Sequence, residues 1–143
     1  QESRSVTSPA PVPAPNPPLN AQHRVPLIYV VDDEVMVLEL VQTILKPLGC
    51  RIEQFRDGAY ALERFRASDQ KPDLIVTDYS MPAMNGLELM DACRRIKPGQ
   101  KLLLMSGTVG EEVFRNRSDM PDSFITKPFD VANFAVAAGR LLS

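Results

Sequence analysis

The chain has 143 residues, of which 44% are hydrophobic and 24% charged, and its formal net charge is −2. This length and composition predict one ordinary globular domain. The small negative charge argues against a surface for nucleic acid or for an anionic membrane, and no apolar stretch is long enough to insert into a bilayer.

The first 25 residues differ in composition from the rest. The stretch SPAPVPAPNPP is rich in proline and alanine and has no hydrophobic period. Such a segment cannot bury enough apolar surface to offset the entropy lost on ordering. We therefore predict a flexible linker of extended, polyproline II character over residues 1–25, followed by a domain over residues 26–143. A proline-rich ligand for a recognition domain is the less favoured interpretation.

Strand and helix patterns alternate through the predicted domain. Short apolar runs predict strands at residues 27–31, 52–55, 74–77, 102–105 and 123–126. Apolar residues at helical spacing predict helices at residues 37–48, 58–65, 89–96 and 131–141, and a poorly patterned one at 111–116. Five strands alternating with five helices predict a three-layer α/β sandwich with right-handed crossovers. The flavodoxin-like strand order 2-1-3-4-5 would place the switch point between strands 1 and 3.

Polar side chains stand at the ends of these predicted strands. Asp32 and Asp33 follow the first strand, Asp78 the third, Ser106 the fourth and Lys127 the fifth. The carboxyl ends of parallel strands meet at one edge of a sheet, so these groups should gather in one pocket. Three crowded carboxylates repel each other unless a cation lies among them, and oxygen ligands of this kind suit Mg²⁺. The pattern predicts phosphate chemistry at an aspartate.

Four motifs carry these residues: VVDDE, TDYSMPAMNG, LLLMSGT and FITKPF. Together, in this order, they resemble the response-regulator receiver domain of two-component signalling, over about residues 26–142. The resemblance implies that Asp78 accepts a phosphoryl group. It also implies that Asp32, Asp33, Asp78 and the backbone carbonyl of Ser80 hold Mg²⁺. Ser106 and Lys127 would then contact the phosphoryl group, with Lys127–Pro128 as a cis peptide bond.

The same resemblance implies a conformational switch at Ser106 and Phe124. Many relatives carry tyrosine at the position of Phe124, so a switch here would work by packing alone. A simple core role for Phe124 stays open. Tyr79, Ser80 and Thr108 would border the phosphoryl site.

The resemblance also implies partners. His23 lies in the proline-rich segment and off any helical pattern, so the phosphoryl group should come from a separate histidine kinase or phosphotransfer domain. Output would pass to a downstream protein or a linked module, because no DNA-binding motif follows. Both a stand-alone regulator and the receiver of a hybrid kinase are open.

Each site residue also has an ordinary structural interpretation. Asp78 could cap a turn, Asp32 and Asp33 could cap the first helix, and a lone lysine is usually a solvated charge. The rival functions are an aspartyl-phosphate hydrolase of the haloacid-dehalogenase type and a degenerate receiver that only binds partners. Such hydrolases place the nucleophile first in a DxD arrangement, whereas here an acid pair precedes Asp78 and Ser80 takes the second position. We expect a switch that catalyses its own phosphorylation and dephosphorylation, without turnover of a separate small molecule.

The two cysteines predict a reducing compartment. Cys50 and Cys93 are far apart in the sequence and belong to no CxxC motif. They are expected to be reduced structural thiols, which favours a cytoplasmic protein.

Overall fold

A single parallel sheet organises the protein, for which a computed structural model describes residues 24–107, 111–115 and 117–143. The strands are β1 (Leu27–Val31), β2 (Arg51–Phe55), β3 (Leu74–Asp78), β4 (Leu102–Ser106) and β5 (Ser123–Thr126). The helices are α1 (Val35–Leu45), α2 (Gly58–Ala67), α3 (Gly86–Ile96) and α4 (Val131–Leu142), with 3₁₀ turns at Lys46–Leu48 and Glu111–Phe114.

The strand order across the sheet is β2-β1-β3-β4-β5, and every neighbouring pair is parallel. This confirms the predicted flavodoxin-like order. All residues of β1, β3 and β4 are buried, as apolar strands covered by helices on both faces should be. The edge strand β2 is more exposed.

Helices cover both faces of the sheet and form two separate cores. On one face, Tyr29 and Phe65 pack with the apolar sides of α2 and α3. On the other, Val41 and Phe134 pack α1 and α4 against the sheet. Cys93 belongs to the first core and Cys50 packs against the second, so the two thiols lie on opposite faces and cannot form a disulfide.

Polar side chains fix where α2 and α3 begin. Asp57 accepts a hydrogen bond from the backbone N–H of Tyr60 at 2.7 Å and starts α2. Asn85 and Glu88 form a reciprocal capping box at the start of α3. α1 has Glu34 at its N-cap without a side-chain cap. Neither Asp32 nor Asp33 is therefore the N-cap residue, although Oδ1 of Asp32 accepts from the backbone N–H of Glu34 at 2.9 Å.

One predicted helix is of a different type in the structure. Residues 111–116 were expected to form an α-helix, but the described part of this stretch is a single 3₁₀ turn at Glu111–Phe114. Its sequence, EEVFRN, offers no apolar residues at i, i+3 and i+4, so an α-helix here would bury no stripe against the sheet. The ring of Phe114 instead packs edge-on against that of Phe124, with centroids 5.1 Å apart.

None of the helices in the described part of the chain combines the length and the apolar character needed to cross a bilayer.

Candidate functional site

Three carboxylates meet at the carboxyl edge of the sheet. Asp32 follows β1, Asp33 is next to it, and Asp78 is the last residue of β3. One oxygen from each of the three lies within 4.8 Å of the others. Asp32 is fully buried and Asp78 is buried, whereas Asp33 is exposed and opens the cluster to solvent. The topology brings these groups together because β1 and β3 are neighbours in the sheet.

The side chain of Lys127, which follows β5, also reaches this cluster. Its Nζ lies 3.1 Å from Oδ2 of Asp32 and 3.2 Å from Oδ1 of Asp78, so one ammonium group bridges two buried carboxylates. The backbone fixes its approach, since the N–H of Lys127 donates to the carbonyl of Ser106 at 2.7 Å. The Lys127–Pro128 peptide bond is cis, as the resemblance implied.

One ammonium group does not neutralise the cluster. Burial and the charge of Asp32 raise the pKa of Asp78 to about 6, and the opposing effect of Lys127 is too small to restore its ordinary value. Burial also raises the pKa of Asp32, although the N–H of Glu34 and Lys127 favour its charged form. Burial tends to lower the pKa of Lys127, but its bonds to Asp32 and Asp78 outweigh this effect and raise it.

This electrostatic imbalance fits a divalent cation. Two buried carboxylates and one exposed carboxylate offer oxygen ligands to a hard ion, with the exposed Asp33 on the solvent side. Mg²⁺ is typically bound by one or two carboxylates with water completing its shell. The donor set of Asp32, Asp33 and Asp78 therefore suits Mg²⁺.

The loop after Asp78 is closely fitted to the sheet. The N–H of Tyr79 donates to the carbonyl of Met105 at 2.7 Å, and the N–H of Gly86 returns to the carbonyl of Tyr79 at 2.9 Å. A Cβ on Gly86 would lie 2.5 Å from the carbonyl oxygen of Asp78, so only glycine fits without displacing backbone. Within the loop, Ala83 has a φ of 68°, in the left-handed region.

The remaining predicted site residues lie around this edge. Ser106 is buried at the end of β4, in register with Thr126 of β5. Ser80 is exposed in the loop, and Tyr79 is half-buried against the α2 and α3 core. Phe124 is half-buried in β5. Thr108 and His23 lie outside the described residues.

Two features of the site were not apparent from the sequence. The carbonyl of Phe55 accepts from the N–H of Asp32 at 3.0 Å and so ties the acid pair to β2. Met84 packs against Gly58, which connects the loop after Asp78 to α2. The glycine that follows the N-cap residue Asp57 is the one signal in the sequence that could have suggested a close approach there.

Comparison with known proteins places the chain among signalling domains. The family model of the response regulator receiver domain matches residues 28–138. The probable transcriptional regulatory protein TcrX of Mycobacterium tuberculosis is 31% identical over 116 residues, which cover 80% of this chain and 49% of that protein. The autoinducer 1 sensor kinase/phosphatase LuxN of Vibrio campbellii is 33% identical over 115 residues, which cover 80% of this chain and 13% of that protein. The chain thus spans about half of the first relative and a small part of the second.

Solved structures agree with this assignment. A response regulator receiver protein from Sinorhizobium medicae has a TM-score of 0.74 at 27% identity, covering 83% of this chain and 95% of that chain. A receiver domain from Clostridium thermocellum also reaches 0.74, at 19% identity, covering 82% of this chain and 94% of that chain, and supports the fold alone.

Proposed function

The chain belongs to the response regulator receiver domain family, and we propose that it accepts a phosphoryl group on Asp78 from a phosphohistidine partner and changes conformation in response. The observation that carries this proposal is the position of Asp78. It lies buried at the end of β3, beside two other acids and 3.2 Å from the ammonium group of Lys127.

The chemistry proposed for Asp78 is nucleophilic attack on phosphorus. A carboxylate oxygen of Asp78 forms the new P–O bond, the P–N bond to the donor imidazole breaks, and its electron pair returns to the imidazole nitrogen. Lys127 binds a phosphoryl oxygen with its ammonium group, and the hydroxyl of Ser106 donates a hydrogen bond to another. Catalysis here consists of positioning and charge stabilisation, as in other phosphoryl transfers.

The acidic cluster is the proposed magnesium site. Asp33 and Asp78 would bind the ion directly, Asp32 mostly through water, and Ser80 through its backbone carbonyl. When bound, Mg²⁺ would stabilise the negative charge of the phosphoryl oxygens. Burial and the charge of Asp32 raise the pKa of Asp78 to about 6, and a divalent cation would offset both effects, which supports this assignment.

Phosphorylation of Asp78 is tested directly with a small donor. Incubation with acetyl phosphate and Mg²⁺ should add one phosphoryl group, which hydroxylamine removes because it is an acyl phosphate. Asp78→Ala should take up none, and Asp33→Asn or EDTA should abolish the labelling. A phosphoryl group located on serine or on His23 by mass spectrometry would refute the proposal.

The hydrolase alternative gives a different result. A receiver acts on its own acyl phosphate, whereas a hydrolase turns over phosphate monoesters. Sustained release of nitrophenol from nitrophenyl phosphate, lost in Asp78→Ala, would favour the hydrolase.

The partners follow from the proposed reaction. A histidine kinase or a histidine phosphotransfer domain would donate the phosphoryl group, and a downstream protein or a linked module would receive the signal. Relatives named as a transcriptional regulator and as a sensor kinase/phosphatase leave both arrangements open. Residues 1–25 would serve as the linker to the domain over residues 26–143. Two reduced cysteines on opposite faces of the sheet support a cytoplasmic location.

A further inference from the structure

The side chain of Met84 lies against Gly58, where the loop after Asp78 meets α2. Gly58 is the first residue of α2, and Met84 lies in the loop between β3 and α3. A Cβ on Gly58 would lie 3.2 Å from Sδ and 3.3 Å from Cγ of Met84. The methionine side chain therefore lies next to the space that a side chain at position 58 would occupy.

The loop that carries Met84 is fixed by its backbone at both ends. The backbone N–H of Tyr79 donates a hydrogen bond to the carbonyl of Met105 in β4. The N–H of Gly86 donates one to the carbonyl of Tyr79. Between these ends, the N–H of Met84 donates to the carbonyl of Pro82 at 2.7 Å across Ala83, whose φ is 68°. This is a γ-turn with a left-handed central residue, a conformation that a non-glycine residue avoids unless its surroundings impose it.

Met84 supplies a side-chain contact that helps to impose this conformation. It is half-buried and packs against the core formed by α2 and α3. Its contact with Gly58 braces the loop against α2, an element that holds neither end of the loop. We expect the loss of that contact to remove one restraint on the backbone at Ala83.

We propose that Met84, seated on Gly58, is a positioning residue that holds the loop of residues 79–85 in the conformation needed to bind Mg²⁺ beside Asp78. This inference rests on the proposed function, because Ser80 lies in the same loop and its carbonyl belongs to the proposed ligand set. Groups that orient metal ligands without touching the metal typically change metal affinity about 10–100-fold when they are mutated.

The test compares Met84→Ala, Gly58→Ala and the double variant with the unchanged protein. Mg²⁺ affinity is measured by NMR titration of the metal-free protein, and stability by urea unfolding of the same samples. Met84→Ala should weaken Mg²⁺ binding about tenfold, because the loop loses its brace. Gly58→Ala should also weaken it, because the added methyl group displaces the methionine.

The double variant separates a shared contact from two independent effects. Once the methionine is gone, the methyl group on residue 58 has nothing to displace, so the double variant should bind Mg²⁺ no more weakly than Met84→Ala alone. Met84→Leu should retain most of the affinity, because it keeps the apolar bulk. Gly139→Ala is the matched control, since a Cβ there meets nothing within 4 Å in α4.

Each outcome bears on one of the two proposals. Unchanged Mg²⁺ affinity in Met84→Ala, or losses that add in the double variant, would overturn the positioning role. The unchanged protein is labelled with acetyl phosphate in parallel. Normal labelling with unaffected variants would refute this inference alone, whereas no labelling of the unchanged protein would refute the proposed function on which it rests.

Discussion

Lys127 and Asp32 are joined by a hydrogen bond of 3.1 Å although their strands, β5 and β1, are separated in the sheet by β3 and β4. The lysine side chain reaches across the end of the sheet and passes Asp78, which it contacts at 3.2 Å. One cation is thus shared by two buried carboxylates. Lys127 should therefore lower the pKa of Asp78, whereas Asp32 should raise it.

Replacing Lys127 by methionine removes this cation while keeping most of the side-chain length. The pKa of Asp78, about 6 in the metal-free protein, should rise further, because the attraction that lowers it is lost while burial and Asp32 still raise it. Carboxyl NMR titration in EDTA measures this shift. Lys97→Met, at an exposed lysine, is the control. An unchanged or lower pKa in Lys127→Met would show that the lysine does not stabilise the charged form of Asp78.

The stability of the metal-free protein should depend on pH through Asp78. The pKa of this group is about 6 in the folded protein and 3.8 in its ordinary state, so folding favours the protonated form. The contribution of Asp78 to the free energy of unfolding is therefore complete below pH 4, where the group is protonated. It is lost as the pH rises through about 6. Asp78→Asn avoids this loss and should be more stable than the unchanged protein at pH 8 by up to roughly 3 kcal/mol.

Urea unfolding in EDTA at pH 5 and at pH 8 measures this difference. The gap in unfolding free energy between Asp78→Asn and the unchanged protein should widen as the pH rises. A gap that is constant over this range would contradict the assignment of the raised pKa to Asp78.

The sheet order and the gathering of the acids could be predicted from the sequence. Apolar runs that end in Asp32, Asp78 and Ser106 suffice for this, because parallel strands place their carboxyl ends at one edge. The distances from Lys127 to Asp32 and Asp78 could not be predicted, since they depend on how a long side chain crosses two strands.

The backbone conformations of the loops could not be predicted from the sequence either. Residues 111–114 form a 3₁₀ turn because packing of Phe114 on Phe124, rather than a helical stripe, decides their conformation. Ala83 has a φ of 68°, which an alanine does not prefer, so its residue type gave no sign of this turn. Neither conformation follows from local preference.

Gly86→Ala tests the fit between β3 and α3. The added methyl group would lie 2.5 Å from the carbonyl oxygen of Asp78 and 2.7 Å from Cδ1 of Leu104, so the backbone must move. We expect a loss of about 1–3 kcal/mol in the free energy of unfolding, as for other overpacked sites. Gly139→Ala, in open space within α4, should be neutral or stabilising by up to about 1 kcal/mol. Equal stabilities of the two variants would contradict the close approach.

Arg94 connects the end of α3 to the segment before β5. Its guanidinium donates to Asp119 at 2.9 Å, to Asp122 at 2.9 Å and to the carbonyl of Met120 at 2.8 Å. Only 14% of its side chain is exposed, so these bonds are partly shielded from water. Arg94→Ala should lower the free energy of unfolding by about 1–3 kcal/mol, because the acceptors lose a charged partner. Chemical denaturation measures this loss.

Arg95→Ala, one residue further along α3, is the matched control because its side chain is exposed. It should change stability by less than about 0.5 kcal/mol. A similar small effect for Arg94→Ala would mean that its bonds are as weak as ordinary surface ion pairs.

Phosphorylation should be transmitted from Ser106 to Phe124. Ser106 ends β4 and is in register with Thr126 of β5, which lies two residues beyond Phe124. A phosphoryl group carries a charge of about −1.5 to −2, and its oxygens attract the hydroxyl of Ser106. Movement of Ser106 should shift the end of β5 and change the packing between the rings of Phe124 and Phe114, whose centroids are 5.1 Å apart.

Beryllofluoride with Mg²⁺ serves as the phosphoryl mimic in an NMR experiment. Amide shifts at Phe114 and Phe124 should exceed those at Arg64 and Phe65, which lie on α2 at the other end of the sheet. Ser106→Ala should still bind the mimic, because Asp78, the other acids and Lys127 remain. Its shifts at Phe114 and Phe124 should nevertheless largely disappear, since the group that follows the phosphoryl oxygen is missing. A full response at Phe124 in Ser106→Ala would show that the signal leaves the site by another route, with Lys127 and its backbone bond to Ser106 as the next candidate.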